Sequence, residues 1–267
     1  MTIAIGLLAS DGILIATDRE ASDSVRKVDE GKVRGCCVSS PPYDSLFIAG
    51  AGHGDYIDAV TDKLLGAFPN GPMSSVSELM VRLANQNRDF YRENVLPLSR
   101  YPSEERPDYS LLIAAKLNND LALWSSSFLV LNQITHAAYG AIGAGAMTAK
   151  TLLRKFYAYT PLVNTIVLSI YIVQEVKRLV PYCGLDTDIL YVQKNREPAK
   201  LVGDEVREIE NAFRRFDKVE RAHFHQSIGS DLTFDPRTKT QDVAQQKESY
   251  QKFFRELNER LTKRLAQ

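Results

Sequence analysis

The apolar pattern of the N-terminal part of the chain predicts two strand pairs. Short runs of branched apolar residues alternate with turn residues, which is typical of antiparallel hairpins. Asp11-Gly12 is a strong hairpin turn signal, and Ser39 to Pro42 form a polar loop between the later two strands. The four predicted strands are residues 3–8, 12–18, 33–38 and 45–50.

Four later segments repeat apolar residues at steps of three and four, which is the spacing of a helix face. Ser75 and Glu78 form a capping-box pair that predicts a helix start. Thr165 to Val180 is the most apolar segment and is stopped by Pro181 and Gly184. The predicted helices are residues 54–67, the segment that follows Ser75, 146–157 and 165–180, and further strands are predicted at about 109–117, 121–126, 128–133, 138–142 and 187–193.

The order of these elements predicts the fold class. The chain runs through strands, two helices, strands, two helices and a last strand. Two sheets packed face to face, with a helix pair outside each, would bury the apolar faces of all of them. The pattern alone therefore indicates a layered α+β fold.

The pattern changes after Lys194. Two segments, residues 204–222 and 241–266, carry a single apolar stripe on an otherwise charged surface, which is typical of amphipathic helices. We therefore predict a compact domain over 1–198 and an amphipathic helical C-terminal extension over 199–267. The extension is expected to dock on the domain or on a neighbouring subunit.

Composition and charge argue against nucleic-acid binding through bulk charge, secretion by a signal peptide and a membrane-spanning helix. Lys plus Arg equal Asp plus Glu at 33 each, so the zero formal net charge argues against a nucleic-acid binder that depends on bulk charge. No basic segment followed by an apolar one opens the chain, so no signal peptide is predicted. The most apolar run, residues 161–176, contains polar residues and is shorter than the roughly 20 residues that a membrane-spanning helix needs. We expect no association with a membrane.

Cysteine and histidine usage predicts reduced thiols and no metal site. The three cysteines, Cys36, Cys37 and Cys183, are odd in number and lack a framework spacing, which favours a cytoplasmic protein. His223 and His225 have no evident third ligand, so a surface pair is favoured over a metal site. No metal or other cofactor is predicted.

Thr2 is the first candidate for chemistry. It follows Met1 directly and is small enough for methionine aminopeptidase to expose it as the N-terminus. An N-terminal threonine carries a hydroxyl nucleophile and a free amine whose pKa of about 7.7–8.0 suits a general base. Asp18 ends the next strand and Lys32 follows a short loop, so a carboxylate and an ammonium are available to tune that amine.

Several short motifs lie along the chain in a definite order. They are Thr2-Ile3-Ala4-Ile5-Gly6, Asp11-Gly12, Ile13 to Arg19, Lys32-Val33-Arg34, Phe47 to Gly52 and Gly143-Ala144-Gly145. None is specific alone, but their order over roughly residues 2–193 resembles a proteasome β-type subunit, one of the N-terminal threonine peptidases of the Ntn-hydrolase superfamily. That family includes simpler bacterial members. The resemblance implies a four-layer αββα sandwich.

The resemblance also implies a catalytic set. Thr2 would be the nucleophile, and Asp18 would pair with Lys32 and hold it beside the Thr2 amine. Lys27 and Arg34 compete with Lys32 for this role. The match of Gly31-Lys32-Val33-Arg34 to the family pattern favours Lys32.

Four further residues are implied in oxyanion and substrate binding. The backbone N–H of Gly50, within Ala49-Gly50-Ala51-Gly52, would donate to the developing oxyanion. Ser22 would hold the substrate backbone, while Ala21 and Ile48 would shape the side-chain pocket. The implied substrate is a peptide or protein, cleaved inside a ring-shaped homo-oligomer. An ATPase regulator is a family expectation to which no residue of this sequence points.

Three positions depart from the family pattern. The family usually has Ser, Asp and Ser where this chain has Ala144, Val180 and Cys183, and those groups support the threonine amine and its water. Asp186 could compensate from a shifted loop. The departures leave two alternatives open, a catalytically silent docking subunit of a proteasome-like assembly and a small-molecule amidase with the same nucleophile.

Overall fold

The structure is a computed structural model that describes residues 2–22, 27–29, 31–39, 41–68, 75–100, 107–127, 129–135, 138–201, 203–227 and 240–266. Side chains are described throughout these ranges except at 21–22, 27–29, 99–100, 218–227, 240–247 and 266. The chain divides into two compact units, Met1–Gly203 and Asp204–Gln267.

The first unit contains two five-stranded antiparallel sheets. In chain order the strands are β1 (Ile3–Ala9), β2 (Gly12–Asp18), β3 (Glu20–Ser22), β4 (Lys27–Asp29), β5 (Val33–Cys37), β6 (Ser45–Gly52), β7 (Tyr109–Leu117), β8 (Asp120–Ser127), β9 (Val130–Gln133), β10 (Tyr139–Gly143), β11 (Thr187–Gln193) and β12 (Ala199–Leu201). One sheet has the order β10-β1-β2-β11-β12 and the other β5-β6-β7-β8-β9, while β3 and β4 form a separate ribbon.

Two helix pairs cover the outer faces of the sheets. The helices of this unit are α1 (Gly54–Gly66), α2 (Val76–Asn94), α3 (Ala146–Phe156) and α4 (Leu162–Leu179), with a 3-10 helix at Leu96–Arg100. α1 and α2 pack on the second sheet, and α3 and α4 pack on the first. The result is the four-layer αββα sandwich that the sequence predicts.

Alternation along β6 shows how the layers are filled. Phe47 and Ala49 face the first sheet and join the core between the two sheets. Leu46 and Ile48 point the other way and pack with Leu64 and other residues of α1 and α2. Because successive strand residues face opposite sides, a strand buried on both faces reads as one continuous apolar run.

The first N–H groups of α2 and α4 are capped in different ways, one by an adjacent residue and the other by a residue distant in sequence. Ser75 precedes α2, and its hydroxyl oxygen accepts the Glu78 N–H at 3.2 Å, which confirms the predicted capping pair. α4 begins at Leu162 rather than at Thr165 because the Leu162 N–H donates to Asp11 Oδ1 at 2.7 Å. Asp11 lies in the β1–β2 turn, so this helix is capped from another element.

The second unit pairs α5 (Asp204–Ser227) with α6 (Thr240–Ala266). Phe213 stacks against Phe254 with ring centroids 5.0 Å apart, and Arg260 forms an ion pair with Glu208 at 2.8 Å. These contacts join early residues of α5 to late residues of α6, so the helices run antiparallel. β12 pairs with β11 in the first unit, and the two compact units divide at 203/204. The domain boundary at 198/199 stays a prediction.

Candidate active site

The Asp18 carboxylate is the centre of a buried cluster in the first unit. Its side chain is 0% exposed and lies at the end of β2. Oδ1 accepts the backbone N–H of Ile3 at 3.0 Å and the Lys32 ammonium at 2.9 Å. Oδ2 accepts the backbone N–H of Gly184 at 3.0 Å. One carboxylate therefore joins the N-terminal strand, the Lys32 loop and the loop that follows α4.

The β1–β2 hairpin brings the N-terminus to this carboxylate. Ala4 pairs with Thr17 in the antiparallel register, so Ile3 lies opposite Asp18. The Asp11-Gly12 turn sets that register, and a slip by one residue would turn Asp18 to the other face of the sheet. Thr2 precedes Ile3 and is 8% exposed, which places the proposed nucleophile beside the cluster.

Glycines of the Gly143-Ala144-Gly145 motif pack against Thr2. Gly143 has a φ of +90°, and a side chain there would overlap the Thr2 carbonyl oxygen. The Gly145 N–H points at the same oxygen at 3.5 Å, at the start of α3. Both the backbone conformation and the close approach require glycine at 143.

Lys32 is the cation that the structure places on Asp18. Its side chain is 9% exposed, and the ammonium also donates to the backbone carbonyl of Glu20. Arg34, which competed for the role, pairs with Asp58 and Asp62 on the exposed side of α1. The Lys27 side chain lies outside the described residues. Of the two described candidates, Lys32 is the one that contacts Asp18, while its catalytic role stays a prediction.

The loop after α4 closes the cluster from the other side. Burial, together with the nearby charge of Asp18, raises the pKa of the Cys183 thiol to about 11, so the thiol is neutral at neutral pH. Tyr182 and Leu185 flank the Cys183-Gly184 pair with φ angles of 68° and 57°. Left-handed conformations of non-glycine residues are strained and tend to occur at functional sites. Neither the strain nor the Gly184 contact could be predicted from sequence.

Two further predicted site residues, Gly50 and Ile48, lie on β6. Gly50 lies inside β6 opposite Leu111, and a side chain there would overlap Ile57 of α1. Its role as an oxyanion donor stays a prediction. Ile48 is 1% exposed and packs between the second sheet and its helices. Its role in a side-chain pocket stays a prediction.

Ala21 and Ser22 belong to the backbone of β3, but their side chains lie outside the described residues. Their predicted roles in substrate binding are therefore not addressed by any contact. Among the side chains that the structure describes, no group of three or more His, Cys, Asp or Glu residues could hold a metal ion.

Two acidic residues near the cluster escaped the sequence reasoning. Asp188 is buried beside the Lys32 loop and binds Arg19 at 3.2 Å and Lys200 at 2.9 Å. Glu20 is 5% exposed. The spacing of Asp18 and Glu20 was a usable signal, because residues two apart on an extended chain face the same side.

Comparison with known proteins identifies the fold. No protein-family model and no curated protein sequence matches the chain. The structure is similar to Anbu (ancestral beta-subunit) from Yersinia bercovieri, with a TM-score of 0.67 and 15% identity over 83% of this chain and 97% of that one. It is similar to Anbu from Pseudomonas aeruginosa, solved as a helical assembly, with a TM-score of 0.67 and 16% identity over 89% and 100% of the two chains.

A Gly-1 mutant of Anbu from Hyphomicrobium sp. strain MC1 gives a TM-score of 0.66 and 12% identity over 88% of this chain and 100% of that one. At such identities the likeness establishes a proteasome-like fold. No described helix of this chain is both long enough and apolar enough to span a membrane.

Proposed function

We propose that this chain is an N-terminal threonine hydrolase that cleaves amide bonds of peptides. The observation that carries the proposal is the buried Asp18 carboxylate, which binds both Lys32 Nζ and the Ile3 N–H, one residue after Thr2. A hydroxyl nucleophile, its own amine and a fixed cation are thus within one cluster once Met1 is removed. The proteasome-like fold supports the same chemistry by analogy.

The reaction would proceed in two acyl-transfer steps. Thr2 Oγ attacks the scissile carbonyl carbon and gives its proton to the Thr2 amine, which then protonates the leaving amine. The peptide C–N bond breaks and an ester on Thr2 Oγ remains. Water attacks that ester and gives a proton to the Thr2 amine. The amine returns the proton to Thr2 Oγ as the ester C–O bond breaks, which releases the carboxylic acid and restores the enzyme. Lys32 lowers the pKa of the amine because its positive charge disfavours a second positive charge, the ammonium form of the amine, close by.

Assembly into a homo-oligomer is part of the proposal. Support comes from the helical assembly solved for the Pseudomonas aeruginosa Anbu complex, which has the same fold. A closed or helical arrangement would restrict the access of folded proteins to the proposed nucleophile. The substrate would then be an unfolded peptide or protein segment, with any ATPase regulator a separate component.

The test combines mass spectrometry with labelling and turnover. Intact mass should show loss of Met1, and a β-lactone or epoxyketone probe should add one label at Thr2. Thr2→Ala should abolish both labelling and hydrolysis of a fluorogenic peptide, because alanine still permits removal of Met1 but has no hydroxyl. Thr151→Ala is the matched control, since Thr151 lies exposed on α3 and donates to the Met147 carbonyl.

Three outcomes separate the alternatives. Retention of Met1 rules out the proposed mechanism, because Thr2 then has no free amine. An unlabelled protein with Thr2 exposed favours a silent docking subunit. Labelling at Thr2 without peptide hydrolysis, but with cleavage of simple amides, favours a small-molecule amidase.

A further inference from the structure

Glu20 is a second buried carboxylate at the Asp18 cluster. It begins β3, two residues after β2 ends. A side chain added at Gly184 would overlap Glu20 Oε2, so the carboxylate lies directly against the Gly184 α-carbon. Gly184 is also the residue whose N–H binds Asp18 Oδ2 at 3.0 Å. Both carboxylates therefore lie next to the same glycine.

Glu20 also contacts the cation of the cluster. Its backbone carbonyl accepts a hydrogen bond from the Lys32 ammonium, whose other partner is Asp18 Oδ1. The charges of Asp18 and Glu20 raise the pKa of the neighbouring Cys183 thiol, while that of Lys32 lowers it. All three charged side chains thus lie close to Cys183. The backbone of β1 reaches the same cluster at Ile3, whose N–H binds Asp18 Oδ1.

The charges of these three side chains favour a cationic amine beside them. Asp18, Glu20 and Lys32 carry a formal net charge of one negative. Buried charges are stable only where an opposite charge or a hydrogen-bond donor compensates them. The Thr2 amine, exposed when Met1 is removed, brings up to three N–H donors and one positive charge next to Ile3.

We propose that Glu20 is a positioning residue for the Thr2 amine, accepting a hydrogen bond from it and stabilising the ammonium that forms when it takes the hydroxyl proton. This inference rests on the proposed function. Glu20 and Lys32 act on the amine in opposite directions: the lysine favours the neutral base before proton transfer, and the glutamate stabilises the cation after it. A carboxylate that accepts one N–H of the neutral amine also sets the direction of the single lone pair of the amine relative to the hydroxyl.

The test measures the pKa of the amine and the turnover separately. The protein is prepared with Thr2 as its first residue by cleavage of an N-terminal fusion. Amine pKa is measured from the pH dependence of acetylation by acetic anhydride, read on the N-terminal peptide by mass spectrometry. Turnover is measured as kcat and KM for a fluorogenic peptide across the same pH range. The described titratable groups of the Asp18 cluster are Asp18 on β2, Glu20 on β3, Lys32 before β5 and Cys183 after α4.

Glu20→Gln should lower the amine pKa by about one unit, because a nearby opposite charge that favours the ammonium is lost. The acid limb of the kcat/KM profile should move to lower pH by the same amount. At the plateau of the pH profile, kcat should fall at least about 10-fold, which is less than the roughly 100-fold or larger loss expected when a general base is removed. KM should change little. Glu20→Asp, which keeps the charge, should retain an amine pKa close to that of the wild type.

Gly184→Ala provides a second variant that keeps every charge. Its methyl group would displace the Glu20 carboxylate, so the amine pKa should again fall. Glu210→Gln is the control, since Glu210 is a glutamate of similar burial, 3% exposed, in the other compact unit. An amine pKa that is unchanged in both Glu20→Gln and Gly184→Ala overturns the role of Glu20. Wild-type protein that hydrolyses nothing overturns the proposed function instead, and the amine titration still tests Glu20.

Discussion

At the scale of single residues, the Asp18 carboxylate connects groups that are far apart in sequence. Ile3, Lys32 and Gly184 supply its three donors and come from β1, from the loop before β5 and from the loop after α4. A fully buried carboxylate needs such partners, since burying a charge without them is costly. The position of the proposed site is therefore tied to the integrity of the first sheet and of both loops.

Lys32→Ala should reduce kcat/KM for peptide hydrolysis at least about 100-fold, the low end for loss of acid–base assistance. Without the cation the Thr2 amine would return towards its ordinary pKa and be largely protonated at neutral pH. Arg34→Ala is the control, because it removes a cation that pairs with exposed acids on α1. Near-wild-type hydrolysis by Lys32→Ala, in protein that begins at Thr2, would contradict the role of this lysine.

The same substitution has a structural effect that can be measured separately. Asp18 would keep two N–H donors but lose its charge partner, so unfolding free energy should fall by about 1–3 kcal/mol. Asp18→Asn should lower activity as well, with less loss of stability than Asp18→Ala, because the amide keeps the shape and one acceptor oxygen. Chemical denaturation of the three variants checks this order.

At the scale of secondary structure, the β1–β2 turn stabilises an element distant in sequence. Asp11 Oδ1 accepts a hydrogen bond from the first N–H of α4, and Oδ2 accepts one from the Gln193 side-chain Nε2 at 2.8 Å. Pro161, the residue before the helix, supplies no side-chain cap. A single aspartate therefore fixes the start of the most apolar helix against the hairpin that carries Asp18.

Asp11→Ala should lower the free energy of unfolding by about 1 kcal/mol, the typical effect of removing a helix N-cap. Asp11→Asn keeps an acceptor oxygen and should lose clearly less. Urea unfolding followed by far-UV circular dichroism measures both. Equal stability of Asp11→Ala and the wild type would show that α4 does not depend on this cap.

At the scale of the whole molecule, the sandwich and the helix pair are separate compact units. The short strand β12 belongs to the sandwich, because it pairs with β11 and Lys200 binds the buried Asp188 carboxylate. The helix pair has its own aromatic contacts, Phe213 with Phe254 and Phe216 with Tyr250. Charged helices with an apolar stripe of this kind are suited to a protein partner, which makes the second unit the candidate for assembly.

Two truncations test this division. A chain ending at Gly203 should keep the stability of the sandwich but form smaller oligomers by light scattering. A chain ending at Pro198 also loses β12 and the Lys200–Asp188 pair, so it should unfold at lower denaturant concentration. Retention of the full-length oligomer by the longer truncation would exclude the helix pair from assembly, and equal stability of the two truncations would contradict the assignment of β12.

The sequence alone predicted most strands and all six α-helices, though not the short strands β3, β4 and β12, because apolar periodicity and turn chemistry are local properties. The resemblance carried by the order of its motifs implied the αββα class. The same resemblance singled out Asp18 and Lys32, whose catalytic roles stay predictions. The tertiary structure decided the rest. The cap of α4 by Asp11, the approach of Gly184 to Asp18 and the packing of Ile48 between the second sheet and its helices all depend on contacts between distant segments, which no local pattern records.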